Sequence, residues 1–117
     1  MDYDLEERTA KFGEDIIGFL RKIPRDEITR PLISQLIRSA TSIGANYCEA
    51  NEAASKKDFR NKICICKKET NETKHWLKML IATDPGKKER IFALLKECHE
   101  LLLIFQAITS SMSKNKN

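Results

Sequence analysis

Apolar residues recur at intervals of three and four positions through nearly the whole chain. This spacing places them on one face of an α-helix, and no segment alternates with a period of two for long enough to indicate a sheet. Four such stretches are separated by short polar links, over residues 5–23, 32–50, 59–80 and 91–112. The pattern therefore predicts four helices.

The links between these stretches carry helix start signals. Thr29 is expected to cap the second helix, because a short hydroxyl side chain accepts hydrogen bonds from free backbone N–H groups. Ser55 and Asp58 form a Ser-x-x-Asp capping pattern, and Asp84–Pro85 suits the cap and first position of the fourth helix. The third helix is then expected over residues 56–83.

Long helices joined by short links pack as an antiparallel up-down-up-down four-helix bundle, so the predicted fold is all-α. A length of 117 residues suits one domain. We expect the bundle over residues 1–112 and a disordered basic tail over residues 113–117. Gly44 lies inside the second helix, where glycine costs about 1 kcal/mol relative to alanine. We therefore expect another backbone to pass close to it.

The run 101–105 (Leu-Leu-Leu-Ile-Phe) is apolar at five successive positions, which spread around the whole circumference of a helix. One helix of a four-helix bundle normally leaves a face in water. The run, together with Ile33, Ile37 and Phe92, therefore predicts that copies of the chain associate. The alternative is that Leu103 or Ile104 is an isolated exposed apolar residue, which is common.

Several functional classes are disfavoured by composition. No apolar run is long enough to span a bilayer, and the N-terminus is acidic, which predicts a cytoplasmic protein without membrane partners. The four cysteines lack the paired spacing of zinc sites and are interpreted as free thiols: Cys48, Cys64, Cys66 and Cys98.

Catalytic and metal-binding patterns are also weak. Glu72 and His75 have the Glu-x-x-His spacing of di-metal bundles, but the other histidine, His99, has Lys96 three positions before it. No nucleophile triad or glycine-rich phosphate loop is recognisable. We therefore predict a protein that is not an enzyme and has no cofactor.

Polar residues spaced by four, four and three positions form a stripe on the second helix, and two glutamates are similarly adjacent on the third. The stripe indicates either a binding groove or a network that sets helix register or a subunit contact, with Arg38 as partner for a carboxylate. We favour the network, because buried polar groups are costly unless they are paired. Its members are Arg38, Ser42, Asn46, Glu49, Glu69 and Glu72.

Charge supplies the one functional indication. The net charge is +4, and basic residues concentrate in the third helix. Such a face favours the phosphate backbone of RNA or DNA, whereas the alternatives are a solvated face and a scaffold or adaptor that binds only protein. The candidate nucleic-acid-binding residues are Lys56, Lys57, Arg60, Lys67, Lys68, Lys74 and Lys78.

The polar stripe also carries a family resemblance. Residues 35–50 (QLIRSATSIGANYCEA), Ser55, Asp58–Phe59 and the later Glu-Thr-Asn-Glu of 69–72 resemble the four-helix bundle proteins encoded in intervening sequences of bacterial 23S ribosomal RNA genes. Ala50 departs from the pattern, since the family often has glycine after the glutamate.

The resemblance implies a small, non-enzymatic bacterial bundle that assembles as a homopentamer. A related family, the accessory proteins of diversity-generating retroelements, is also pentameric and binds nucleic acid and a reverse transcriptase. The resemblance therefore implies the fold and the self-association more directly than a biochemical role.

Overall fold

The chain folds into four long helices, and the computed structural model describes residues 4–114. No strand occurs within that range, so the prediction of an all-α fold is confirmed. A short 3₁₀ helix, Pro85–Lys87, precedes the last of the four. The α-helices are α1 (Leu5–Leu20), α2 (Thr29–Asn51), α3 (Lys56–Thr83) and α4 (Lys88–Lys114).

The helices form a ring in chain order, in which α4 returns to α1 and α1 lies diagonally across from α3. Contacts between α2 and α3 show that the two run in opposite directions. Arg38 reaches Glu69, whereas Glu49, later in α2, reaches Lys62, earlier in α3. The contacts of α1 with α2 and of α3 with α4 follow the same reversed order. The structure is therefore an antiparallel four-helix bundle.

The C-terminal helix extends past the predicted end of the bundle. Ser113 and Lys114 lie in α4, although the sequence places them in the tail. The rest of the predicted tail, residues 115–117, lies outside the described residues.

Asp26, not Thr29, caps the start of α2, so this prediction is wrong. The Asp26 carboxylate accepts hydrogen bonds from the backbone N–H groups of Ile28 and Thr29, both at 2.8 Å. Thr29 is the first residue of the helix, and its hydroxyl accepts the N–H of Asp26 at 2.9 Å and donates to the Pro24 carbonyl. An ionised acceptor binds N–H groups more strongly than a hydroxyl does, which explains the exchanged roles.

Replacing Asp26 is expected to lower the melting temperature in a pH-dependent way. Hydrogen bonds from the backbone of Thr29, and then of Ile28, lower the pKa of Asp26 from its ordinary value of 3.8. A carboxyl group with a lowered folded-state pKa contributes stability above its unfolded pKa and loses it as pH falls through the folded value. Asp26→Ala should therefore have a lower melting temperature than the wild type at neutral pH. This gap in melting temperature should narrow as the pH falls below about 3.8.

Circular dichroism melts at several pH values measure this gap. Asp26→Asn is the control, because its amide oxygen still accepts N–H groups and should retain part of the stability. A gap between wild type and Asp26→Ala that does not change with pH would contradict the proposed role of the carboxylate.

Ser55 caps α3 as predicted, whereas Asp84 and Pro85 begin the 3₁₀ helix that precedes α4 rather than α4 itself. The Ser55 hydroxyl accepts the backbone N–H of Asp58 at 3.0 Å, and the Asp84 carboxylate accepts that of Gly86 at 3.0 Å. Both side chains thus satisfy N–H groups that lack an intrahelical partner.

The apolar run of α4 is mostly covered within one chain. Leu101, Leu102, Ile104 and Phe105 are buried, and Leu103 is 50% exposed. Only Leu103 of the five is left uncovered, which matches the alternative of one isolated exposed apolar residue. Because α4 packs on both α3 and α1, its buried surface wraps around most of the helix. Self-association consequently receives little support from this segment.

Gly44 lies where α1 and α2 approach closely, as predicted. A Cβ atom at this position would lie 3.3 Å from the hydroxyl oxygen and 3.6 Å from the backbone carbonyl carbon of Thr9. Larger side chains would therefore push α1 away from α2.

We expect Gly44→Ile to lower the free energy of unfolding by about 1–3 kcal/mol, the usual cost of overpacking. Gly18→Ala is the matched control, because nothing lies within 4 Å of a Cβ atom there. It should raise stability by about 0.5–1 kcal/mol through helix propensity. Urea denaturation measures both, and equal effects of the two substitutions would contradict the close approach.

Candidate nucleic-acid interface

Three of the predicted basic side chains on α3 form hydrogen bonds with residues of α4. Arg60, Lys67 and Lys74 are seven residues apart, which is close to two helical turns, so they share one flank of α3. Lys78, one turn beyond Lys74, continues the flank, and we call these four residues the basic row. The contacts with α4 are Arg60 Nη2 to Ser113 Oγ at 3.3 Å, Lys67 Nζ to Thr109 Oγ1 at 3.1 Å, and Lys74 Nζ to His99 Nδ1 at 3.2 Å.

The partners of the basic row are two hydroxyls and an imidazole, none of which is an anion. Within residues 4–114, no carboxylate lies within 4.0 Å of a cation of the row. The Nε atom of Arg60 is also buried without a hydrogen-bond partner among the described residues. The positive charges along the α3/α4 groove are therefore oriented by the protein but not neutralised by it.

Two of the remaining basic candidates lie on another side of α3. Lys68 follows Lys67 and is turned about 100° around the helix, away from α4, and Lys57 shares that outward side. Lys56 begins the helix one turn before Arg60, so it lies on the flank of the basic row. All three are exposed, and none forms an ion pair within the described part of the chain. The predicted basic face thus has two sides, and only Arg60, Lys67 and Lys74 are fixed against a neighbouring helix.

The α4 side of the groove adds an exposed aromatic ring. Phe92 is 51% exposed, and Lys88 Nζ lies 5.3 Å from the centre of its ring. Because Lys74 contacts His99 and the helices are antiparallel, Phe92 lies beyond Lys74 in the direction of Lys78. The sequence pattern did not assign Lys88 to the basic surface, although its position four residues before Phe92 places both on one face of α4.

The polar stripe occupies a different groove, between α2 and α3. Arg38 Nη1 donates to Glu69 Oε2 at 2.9 Å, and Nη2 donates to Glu72. The hydrogen bond to Glu72, followed by the charge of Glu69, raises the pKa of the Arg38 guanidinium. Glu69 is only 6% exposed, so removing Arg38 would leave a buried carboxylate without a cationic partner.

The other members of the stripe continue along the same groove. Asn46 Nδ2 donates to the backbone carbonyl of Ser42 at 2.9 Å, and Lys62 Nζ donates to Glu49 at 2.7 Å. The structure therefore joins α2 to α3 through paired charges at both ends of the stripe. Its role in a subunit contact stays a prediction.

Carboxylates concentrate in the groove between α1 and α4. A cavity of about 790 Å³ there is lined by acidic residues, including Glu7, Glu14 and Glu97, around the side chain of Arg8. Arg8 donates to Glu97 at 2.8 Å and to Glu100 at 3.3 Å, which raises the pKa of the guanidinium. The bundle is thus acidic between α1 and α4 and basic between α3 and α4.

The residues weighed as metal ligands have structural contacts. Glu72 binds Arg38, and the ring centres of His75 and Trp76 lie 4.8 Å apart in a T-shaped arrangement. Within residues 4–114, no group of three histidine, cysteine or acidic side chains is arranged to hold a metal ion. Among the same residues, no helix is long and apolar enough to cross a membrane.

The four cysteines are free thiols. Cys66 and Cys98 are buried, and burial raises the pKa of each thiol to about 12. Their sulfur atoms donate to the backbone carbonyls of Ile43 and Thr70. Both pack as small apolar residues between helices.

Comparison with known proteins agrees with this architecture. A crystal structure of a protein of unknown function from the S23 ribosomal protein family of Bacteroides thetaiotaomicron is 32% identical, with a TM-score of 0.82. The match covers 89% of this chain and 96% of that chain. None of the curated proteins compared is significantly similar. A family model described as 23S rRNA-intervening sequence protein matches residues 1–107, and the chain therefore belongs to that family.

Proposed function

We propose that this protein is a non-enzymatic bundle that binds the phosphate backbone of RNA or DNA through its basic row. The observation that supports the proposal is that non-anionic partners on α4 hold Arg60, Lys67 and Lys74 over the α3/α4 groove. A cation that has no carboxylate partner is available to replace the counterions of a phosphate.

The spacing of the row matches a backbone-tracking contact. Residues seven apart on a helix are separated by about 10.5 Å, so successive cations reach different phosphates of one strand. Phosphate contacts carry no sequence information, and binding should be tolerant of sequence. Four contacts give a slope of log K against log salt of about −3 to −4 for each chain.

Fluorescence polarisation with labelled RNA and DNA tests this function. Titrations at several salt concentrations should give affinities that fall steeply as salt increases, with little difference between sequences of equal length. Flat titrations at low salt for all of the nucleic acids would overturn the proposal.

We also propose that the protein works as a homo-oligomer, with five copies as the family resemblance implies. Support comes from apolar side chains that one chain leaves exposed, including Ile28, Ile65 and Met79. A closed ring would repeat the basic row in every copy and increase the local positive potential.

Sedimentation measures the number of copies directly. We expect a particle of about five times the 13.5 kDa chain mass at micromolar concentration. A single species of 13.5 kDa would contradict self-association without affecting the phosphate contacts proposed for the basic row.

A scaffold or adaptor that binds only protein is the second candidate. The acidic α1/α4 groove favours it, because carboxylates line an open cavity there. In that case the basic row is simply solvated, and the salt titrations with nucleic acid remain flat.

A further inference from the structure

Six large apolar side chains within residues 4–114 are exposed to solvent, and Phe92 is the only aromatic one among them. The other phenylalanines of α1 and α4 are buried in the core, and Phe59 and Trp76 are partly covered by it. An exposed phenyl ring beside a row of cations is therefore a specific local feature of the α3/α4 surface.

One face of the Phe92 ring is already occupied. Lys88 Nζ lies 5.3 Å from the ring centre, a distance at which an ammonium group is attracted to the π system. Half of the Phe92 side chain is nevertheless exposed, which leaves surface for another flat group. The pairing also keeps the charge of Lys88 beside the ring, where it can contact a phosphate next to a stacked base.

Position along the groove links the ring to the basic row. The contact between Lys74 and His99 sets the register of α3 against α4. Phe92 precedes His99 by two turns, and Lys78 follows Lys74 by one turn, so both lie toward the same end of the bundle. A nucleic-acid strand whose phosphates contact the basic row would therefore extend to Phe92.

We propose that Phe92 stacks on an unpaired base, and that the preferred ligand is single-stranded RNA or DNA. This inference rests on the proposed function of the basic row. A duplex presents phosphates to the protein but keeps its bases stacked internally, so Phe92 contributes little to duplex binding. A single strand offers phosphates and free base faces together, which the row and the ring bind in combination.

The experiment compares a single-stranded oligonucleotide with its duplex on the full chain. Polarisation titrations use unstructured RNA of about 15 nucleotides, a length within the range covered by single-strand binding sites, and the same sequence annealed to its complement. The variants are Phe92→Leu, which keeps an apolar side chain without the aromatic face, and Phe92→Trp, which enlarges that face. Leu103→Ala is the matched control, because Leu103 is equally exposed on α4 but is not aromatic.

We expect Phe92→Leu to weaken single-strand binding about tenfold and duplex binding less than about twofold. Phe92→Trp should retain or improve single-strand affinity, and Leu103→Ala should change it by less than about twofold. The natural chain has one tryptophan, so additional quenching on binding of the Phe92→Trp variant reports stacking at this position.

The outcomes separate this inference from the function on which it rests. Equal binding of single strand and duplex, with Phe92→Leu behaving as wild type, overturns the stacking role and leaves phosphate binding intact. If Phe92→Leu reduces the affinity for single strand and duplex equally, the stacking role is also overturned, because stacking requires unpaired bases. Absence of binding by the wild type removes the proposed function and this inference together.

Discussion

Reversing the charges of Lys67 and Lys74 is expected to weaken nucleic-acid binding about 50-fold near physiological salt, because two phosphate contacts are lost and two repulsions are added. Both ammonium groups lie over the α3/α4 groove without a carboxylate partner. The slope of log K against log salt should become shallower by about 1.4–1.8. The fold should remain intact, because the lost partners are a hydroxyl and an imidazole rather than a buried charge.

Lys57→Glu with Lys68→Glu provides a matched control. The two substitutions change the net charge by the same amount on the same helix, but on its exposed outward side. We expect a loss of less than about fivefold from the altered long-range field, with a nearly unchanged salt slope. Circular dichroism verifies that both double variants are folded.

Equal losses in the two double variants would show that binding depends on net charge rather than on the basic row. That result would contradict the site while leaving electrostatic binding in place. A larger loss in the control would assign binding to the outward side of α3, which the sequence pattern includes in its basic face.

The helices could be predicted because their information is local. The three-four spacing of apolar residues, with Ser55 and Asp84 as caps, is sufficient for the bounds of α3 and for the bundle. The cap of α2 was mispredicted because Asp26 and Thr29 are both good capping residues three positions apart. The ionised carboxylate is the stronger acceptor, but it can bind the helix N–H groups only where the preceding loop places Asp26 at the helix start, and periodicity does not describe the path of that loop.

The candidate site depended on information that one helix does not contain. Composition identifies α3 as basic, but Lys67 and Lys68 look equivalent until α4 is placed beside one of them. The neutral partner Thr109 lies 42 residues away in the chain, and its pairing depends on the register between helices. For the same reason the sequence alone could not predict that Lys88 and Phe92 of α4 lie beside the basic row of α3.

Coverage of the apolar run in α4 illustrates the same limit. Five successive apolar residues correctly indicate a helix covered on several sides, but the pattern cannot say what covers it. The structure covers four of the residues within the bundle, with only Leu103 half exposed. Self-association is thus better tested by sedimentation than inferred from this run.

Arg38→Met is expected to lower the free energy of unfolding by about 2 kcal/mol, which is less than the 3–5 kcal/mol of a fully buried pair because half of the arginine is exposed to water. The substitution leaves the Glu69 carboxylate, 6% exposed, without its cationic partner. Methionine keeps most of the apolar contact of the arginine stem, so the loss reports the charge. Thermal melts should show a decrease of about 8 °C.

A double-mutant cycle with Glu69→Gln isolates the interaction. The single Glu69→Gln change should cost less than Arg38→Met, because a neutral amide is easier to bury than an unpaired carboxylate. In the double variant no unpaired charge remains, so much of the loss should be recovered. Glu72→Gln is the control, since Glu72 is more exposed and should contribute less than about 1 kcal/mol. Additive costs in the cycle would show that Arg38 and Glu69 do not stabilise each other, which would contradict the role of this charge pair in joining α2 to α3.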